Sequence, residues 1–443
     1  VNDASLALNG GPKAVRTLKP GPIKLGREEL AELISLWEFS PANRRKLLAI
    51  LKGEKNLRGP HLFRYYNPRP SKVLAAERLF ARFIGVEHVL AVNSCTSALI
   101  ASFRALGIGM GDEVIVPGYT FFATAAAVCA CNAIPVIADV DDTLTLDPKD
   151  AEQKITKRTK AIAVVHMRGA PAQMDEIMAV ARRRKLAVVE DVAQACGGSY
   201  KGRMLGAIGT MGCFSFDFYK ILNCGEGGFV TTNREWLYTR AQSWHDTAAC
   251  WRPNRYASER RAGELFCGEN YRMSELQGAV ALAQIRKAGK LLKGYRASRD
   301  RILEGLKLPE GVALRRLADP AGDIGVCIAL YLPDAEKTKW ALKAMKAEGV
   351  PAGGVYDSEV KDWHIYRYWE HVMERKSVAP DGLPWSGVPA AELPKYRPEM
   401  CPRTLDYLSR AILIDVKWSY SAADCKAIAA GVNKVLRHVQ TNE

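Results

Sequence analysis

Lys220 closes the run Ser215-Phe216-Asp217-Phe218-Tyr219-Lys220 and leads shortly into Gly225-Glu226-Gly227-Gly228. Asp191 stands 29 positions earlier, at the end of the apolar run Ala187-Val188-Val189-Glu190. A lysine at a sheet edge with an acid at an upstream strand end supplies the two groups a pyridoxal-phosphate site needs. The ε-amine forms a Schiff base with the cofactor aldehyde. The carboxylate keeps the pyridine nitrogen protonated, so the ring accepts electrons from a carbanion. Singly, each residue also has an ordinary reading. Most lysines are solvated, and a strand-end aspartate commonly caps a helix or lines a loop.

Two further segments have the right placement. Asn93-Ser94-Cys95-Thr96-Ser97-Ala98 follows one strand-like run and opens a helix-like one. Its first N–H groups and the helix dipole suit a phosphate, although Ser94 or Thr96 could equally be a plain N-cap. Tyr119-Thr120-Phe121-Phe122 follows the next strand-like run. A ring there can cover a flat cofactor or simply pack in the core.

These residues need a sheet to position them. Short β-branched runs occur at Val89–Asn93, Glu113–Pro117, Ile134–Val140, Ala161–His166, Leu186–Asp191, Cys213–Asp217 and Gly228–Thr232. Segments such as Thr96–Ala105 and Asp175–Lys185 have helical apolar spacing between them. Nearly all-apolar strands alternating with helices predict an α/β fold, with a mainly parallel seven-stranded sheet covered on both faces. Ligands gather at the carboxyl ends of such strands. Further helices are predicted at Arg27–Trp37, Ser274–Arg286, Pro333–Glu348 and Ala422–Val439. The expected organisation is an arm over residues 1–60, a large domain over 61–290 and a smaller α+β domain over 291–443.

The chain has 443 residues, too many for one ordinary core. Its formal charge is 63 − 48 = +15, which favours anionic partners. The basic residues are dispersed, and Arg182-Arg183-Arg184-Lys185 reads as a solvated helix end, so nucleic acid is not an expected partner. Eleven scattered cysteines without a CxxC pair suggest reduced thiols in a cytoplasm, and no metal site is expected. Val1-Asn2-Asp3-Ala4 does not read as a signal peptide. The apolar stretch 121–138 is broken by Thr124, Asn132 and Pro135, so no membrane association is expected.

Together the ordered motifs resemble the DegT/StrS family of sugar aminotransferases, fold-type-I pyridoxal-phosphate enzymes. The matching pieces include Asn93–Leu99, Ala105–Ile115, Pro117–Phe121, Val165–Gly169, Glu190–Ala195, Ser215–Lys220, Gly225–Gly228 and Asn270-Tyr271-Arg272-Met273. The resemblance is strong over about residues 75–290 and looser elsewhere. It implies that Lys220 is the Schiff-base lysine and proton shuttle and that Asp191 pairs with the pyridinium nitrogen. It places Gln194 near the ring oxygen, Thr96, Ser97 and Ser215 on the phosphate, and Phe121 on the ring. It also implies a homodimer in which Asn270, or more weakly Arg272, reaches the neighbouring subunit's phosphate. Cys95 stands where the family often has glycine, which puts the loop geometry in question. Met167-Arg168 replaces an apolar-aromatic pair, and Arg168 either faces solvent or meets an acidic substrate.

Some relatives are sugar dehydratases with histidine at the lysine position, so Lys220 points to transamination. The expected cycle is ping-pong, through a Lys220 aldimine, from an amino acid such as glutamate to a keto or aldehyde sugar or sugar acid. Leu62–Tyr66, Ser215–Lys220 and Trp363–Tyr366 resemble the branch that aminates 8-carbon keto sugar acids, forming 8-amino-3,8-dideoxy-octulosonate. Arg64, Tyr65 and His364 are thereby substrate candidates, each with structural packing as its other reading. The alternative is an oxidative, decarboxylating or lyase-type enzyme on the same fold. A lyase needs a mobile reactive cysteine, and Cys327 reads instead as part of a buried strand.

Overall fold

Strands form where the β-branched runs lie, because apolar side chains can be covered on both faces by helices while the inner strands pair with a neighbour on each side. The protein is seen in a computed structural model describing residues 3–18, 24–55, 57, 59, 61–356 and 360–439. The main strands are β1 (His88–Val92), β2 (Glu113–Pro117), β3 (Ile134–Ala138), β4 (Thr159–Val165) and β5 (Ala187–Asp191). A small hairpin, β6 (Ser199–Tyr200) and β7 (Arg203–Met204), precedes β8 (Met211–Ser215) and β9 (Gly228–Thr232). The seven-stranded sheet has the order β1-β9-β8-β5-β4-β2-β3, and β9 runs antiparallel to both its neighbours. The other six run the same way. The register sets Val165 beside Asp191 and Asp191 beside Cys213, so the carboxyl ends of β4, β5 and β8 share one edge.

The expected strand Cys213–Asp217 ends two residues early, at Ser215. Asp217 leaves the ladder because its N–H donates to Ser215 Oγ at 3.3 Å and its carboxylate accepts the Tyr219 N–H at 3.0 Å. Local side-chain bonds of this kind favour a turn over a strand.

The backbone divides into two compact units, Val1–Arg69 and Pro70–Glu443. The first contains helices α1 (Arg27–Ser35) and α2 (Pro41–Gly53) and a 3-10 turn at Arg64–Tyr66. Sequence reading missed α2. Its start is set by Ser40, whose side chain accepts the Asn43 N–H, and by Pro41 in the first turn. Val1 and Asn2, on which the signal-peptide expectation partly rests, lie outside the described residues.

In the second unit, α3 (Lys72–Ile84) lays Phe80 against Phe214, Phe216 and Phe229, with ring centroids 4.9, 5.6 and 4.8 Å away. Phe80 is fully buried, which contributes about 3 kcal/mol. This packing clamps β8 and β9, the strands on either side of the Lys220 turn. The helix expected to end at Arg286 continues, spanning Glu275–Gly305. Its later turns carry Lys287, Lys290 and Lys293 but keep Ala288, Leu291 and Leu292 buried. A smaller antiparallel sheet follows, of β10 (Ala313–Leu314), β11 (Cys327–Tyr331), β12 (Ala352–Gly353) and β13 (Ala411–Asp415), ordered β10-β11-β13-β12. All eleven cysteines are unpaired. Among the described residues no helix is long and apolar enough to cross a membrane.

Candidate active site

Asp191 is the last residue of β5 and is 4% exposed. One carboxylate oxygen accepts from Thr124 Oγ1 at 2.9 Å, and the other accepts the Ala193 N–H at 3.1 Å. Thr124 lies on α5 (Ala123–Ala130), and its hydroxyl also meets that of Thr120 at 2.8 Å. Burial pushes the Asp191 carboxyl up, and the Ala193 and Thr124 bonds and the Lys220 charge pull it only part of the way back. A buried acid of this kind gains from a cationic partner. Thr124 had registered in the sequence only as a break in an apolar run. Thr124→Val removes one of the two donors and should cost about 1 kcal/mol of stability, with a several-fold loss of cofactor affinity. An unchanged cofactor Kd would reduce Thr124 to packing.

The preceding residue faces the other way. Glu190 accepts N–H groups of Gly206, Ile208 and Gly209 at 2.9, 2.8 and 2.6 Å, and meets His166 Nε2 at 3.1 Å. His166 Nδ1 accepts the Ala172 N–H at 3.0 Å, so Nε2 carries the proton and donates. Burial raises the Glu190 carboxyl, but His166 and the backbone donors outweigh it and the net direction is down. This wholly buried pair locks the end of β5 and therefore the position of Asp191.

Lys220 sits in the turn after β8, with its N–H on the Asp217 carbonyl at 3.0 Å. It is half-buried, and among the described residues no hydrogen bond or ion pair holds its ammonium. It lines a cavity of about 400 Å³ with Gln194, Arg168, His364, Tyr295 and Cys327. Another cavity of about 400 Å³ lies among Asp141, Asp147, Arg316 and Arg403. Several of its charges pair with one another, Arg316 with Asp141 at 3.0 Å and Arg403 with Asp147.

The phosphate-loop candidate forms at the end of β1. Ser94 caps α4 (Cys95–Ala105) by accepting the Ser97 N–H at 3.0 Å. Among the described residues the first-turn N–H groups of Cys95 and Thr96 have no acceptor, as helix starts leave them. Thr96 is half-buried, whereas Ser97 is buried and spends its hydroxyl on Asn93 Oδ1 at 2.6 Å. Ser215, at the end of β8, is 5% exposed; its Oγ accepts the Asp217 N–H, and among the described residues its hydroxyl proton has no acceptor. These donors fit a phosphate, and the buried acid and unbonded lysine fit the ring end of pyridoxal phosphate.

Cys95 takes the first helical position without a positive φ, so the loop does not demand glycine there. Its Sγ lies 3.9 Å from Asp191 Oδ1. Burial and then the Asp191 charge hold the thiol well above its ordinary range, so it stays neutral. Glycine is needed instead at Gly228, where a Cβ would meet the Phe214 and Ser94 carbonyl oxygens at 2.6 Å. Gly228→Ala should therefore cost about 1–3 kcal/mol and loosen this loop, visible as a lower Tm. An unchanged Tm would contradict that close approach.

Gln194 Oε1 accepts the Arg168 N–H at 3.1 Å, which leaves its amide N–H groups to the cavity. Phe121 is 48% exposed, and its ring lies 5.3 Å from that of His364. The His364 segment is sewn onto the end of β2 by Thr120 N–H to the His364 carbonyl, 2.9 Å, and Tyr366 N–H to the Gly118 carbonyl, 3.0 Å. Arg168, read as either solvent-facing or substrate-facing, has a side chain only 26% exposed and lines the cavity. Asn270 is exposed, and its Oδ1 accepts the Arg272 N–H at 3.3 Å. The neighbouring Tyr271 carbonyl accepts the Asn93 N–H at 2.9 Å. Arg272 pairs with Asp246. Arg64 and Tyr65 belong to the first unit, where the guanidinium lies 4.7 Å from the centroid of the Tyr65 ring. Cys327 is 4% exposed in β11, and burial raises its thiol. The described residues contain no group of acids, histidines and cysteines that could hold a metal.

A family model described as the DegT/DnrJ/EryC1/StrS aminotransferase family matches residues 69–386. The chain belongs to that family. GDP-perosamine synthase of Caulobacter vibrioides is 40% identical over 237 residues, covering 52% of this chain and 60% of that protein. An L-glutamine:2-deoxy-scyllo-inosose aminotransferase of Streptoalloteichus tenebrarius is 40% identical over 222 residues, 48% of this chain and 52% of that protein. The chain thus matches between half and three fifths of these relatives' length. S. venezuelae DesV, solved in complex with a ketimine intermediate, superposes with a TM-score of 0.66 at 26% identity, covering 92% of this chain and 96% of that one. The mainly parallel seven-stranded sheet of this family member is the fold-type-I architecture.

Proposed function

We propose that this chain is a pyridoxal-phosphate-dependent aminotransferase that moves an amino group from an amino acid, with glutamate the expected donor, to a keto or aldehyde sugar. The observation that carries the reading is the meeting of three groups at one sheet edge. They are the unbonded Lys220 after β8, the buried Asp191 closing β5 and the open first turn of α4. The relatives' names support a sugar or cyclitol acceptor, and keto sugar acids belong in the same screen. When bound, the cofactor supplies an electron sink for the carbanion left as the substrate Cα loses its proton.

Lys220 Nζ, as the neutral amine, would take that proton, become the ammonium and return the proton one position away; no hydrogen bond or ion pair among the described residues ties the side chain elsewhere. Asp191 holds the pyridine nitrogen protonated, and Gln194 offers its amide to the ring oxygen. The Cys95 and Thr96 N–H groups, with the Thr96 and Ser215 hydroxyls, would hold the phosphate, while Ser97 fastens the loop through Asn93. Phe121 covers the ring. Donor and acceptor use the cavity in turn, which makes the cycle ping-pong. A homodimer in which Asn270 serves the neighbouring site agrees with that residue's exposure.

The test is to incubate the holoenzyme with L-glutamate or L-glutamine, first alone and then with a panel of 4-keto nucleotide sugars, inososes and keto sugar acids. Stoichiometric 2-oxo acid without acceptor, and turnover with one acceptor class, are expected. No 2-oxo acid from any donor, with oxygen consumed instead, would overturn transamination in favour of the oxidative reading.

A further inference from the structure

We infer that Arg168 is a specificity-determining residue that receives a substrate carboxylate in the Lys220 cavity. The inference rests on that cavity being the active site.

Arg168 is built into place rather than left on the surface. Its backbone is left-handed, φ 54° and ψ 39°, a conformation that costs a non-glycine residue about 1–2 kcal/mol. Two bonds maintain it. The Arg168 N–H donates to Gln194 Oε1 at 3.1 Å, and Arg315 Nη2 donates to the Arg168 carbonyl at 3.4 Å. Arg315 is itself 5% exposed, with Nη1 on the Met167 carbonyl at 3.1 Å. The side chain is then fixed by Nε, which donates to the hydroxyl of fully buried Tyr119 at 3.2 Å.

This anchoring leaves the far edge of the guanidinium without a hydrogen bond among the described residues. Its one carboxylate neighbour within ion-pair reach among the described residues is Asp415, 3.9 Å from Nη1, whose side chain is 70% exposed. Asp362 is also near enough to feel the Arg168 charge, but its Oδ1 is turned to the His364 N–H and Nδ1, at 2.9 and 2.7 Å, and it makes no ion pair with Arg168 among the described residues. A planar two-pronged donor held by its third nitrogen, in the same cavity as the reactive lysine, matches a carboxylate in bidentate geometry. An arginine kept for solubility would need neither the left-handed backbone nor the buried phenol. The carboxylate belongs either to the acceptor, as in a keto sugar acid, or to the amino donor.

Arg168→Gln and Arg168→Lys in the holoenzyme separate these sources. Each half-reaction is followed alone, with glutamate as donor and with paired acceptors, a keto sugar acid and its neutral counterpart. A loss of about 10- to 100-fold in kcat/KM for Arg168→Gln is expected in the half-reaction whose substrate carries the recognised carboxylate, with a smaller loss for the lysine variant. If the acceptor supplies it, the preference for acid over neutral acceptor collapses. If the donor supplies it, the glutamate half-reaction takes the loss. For the donor case, calorimetric titration with unreactive glutarate gives a readout independent of turnover, and its Kd should rise at least about 10-fold in Arg168→Gln. Should wild-type protein release no 2-oxo acid yet still bind glutarate through Arg168, transamination fails and this inference stands. Unchanged kcat/KM in both half-reactions, together with glutarate affinity equal in wild type and variants or absent in wild type, overturns the inference.

Discussion

Lys220→Ala is expected to abolish amino-group transfer, with a fall of about 10⁴-fold or more in the glutamate half-reaction, because it removes both the covalent anchor and the proton carrier. Folding should hardly change. The turn is made by Asp217, which accepts the Lys220 N–H through its carbonyl and the Tyr219 N–H through its carboxylate. Among the described residues the Lys220 ammonium makes no hydrogen bond or ion pair that alanine would lose. The change in stability should stay within about 0.5 kcal/mol. Single-turnover release of 2-oxo acid is the readout. Retention of more than about a tenth of the wild-type rate, far above the general acid–base contribution, would remove Lys220 from the chemistry.

Asp191→Asn should have the second-largest effect, a loss of about 10²–10³-fold, since a neutral amide cannot keep the pyridine nitrogen protonated. Its effect on the protein without cofactor should have the opposite sign. Burial holds the Asp191 carboxyl above its ordinary value in the folded state. The native state therefore binds that proton more tightly than the unfolded chain, whose aspartate titrates near about 3.9. Stability contributed by the group is present below the unfolded value and is lost as pH rises through the raised folded one. Asparagine has no such penalty. Cofactor-free Asp191→Asn should thus melt higher than wild type at neutral pH, and the difference should shrink towards acid. A cofactor-free variant that melts lower at neutral pH would mean that the Thr124 and Ala193 bonds outweigh the burial of the charge.

The site residues visible in the sequence are those whose neighbours in sequence are also their neighbours in space. Asp191 ends a β-branched run and Lys220 follows another, so strand periodicity alone puts both at one sheet edge. The α4 start is local for the same reason. Thr124 was not visible in this way, because its carboxylate partner lies 67 residues away and only the sheet order brings them together. His364 reaches Phe121 through a backbone bridge between Tyr119 and Ile365, and no local pattern encodes that pairing. The length of the Glu275–Gly305 helix was hidden by its lysines, which lie on the solvent side of a continuous apolar stripe. Arg168 was ambiguous in sequence because its orientation comes from Tyr119 and Arg315, 49 and 147 residues distant.

The account stands on Lys220 being the residue that binds the cofactor covalently. The most direct measurement is borohydride reduction of the holoenzyme followed by peptide mass spectrometry. A pyridoxyl-phosphate adduct on the peptide carrying Lys220, absent when L-glutamate is added before reduction, is the predicted result. An adduct on another lysine, or bound cofactor with no adduct at all, would contradict it.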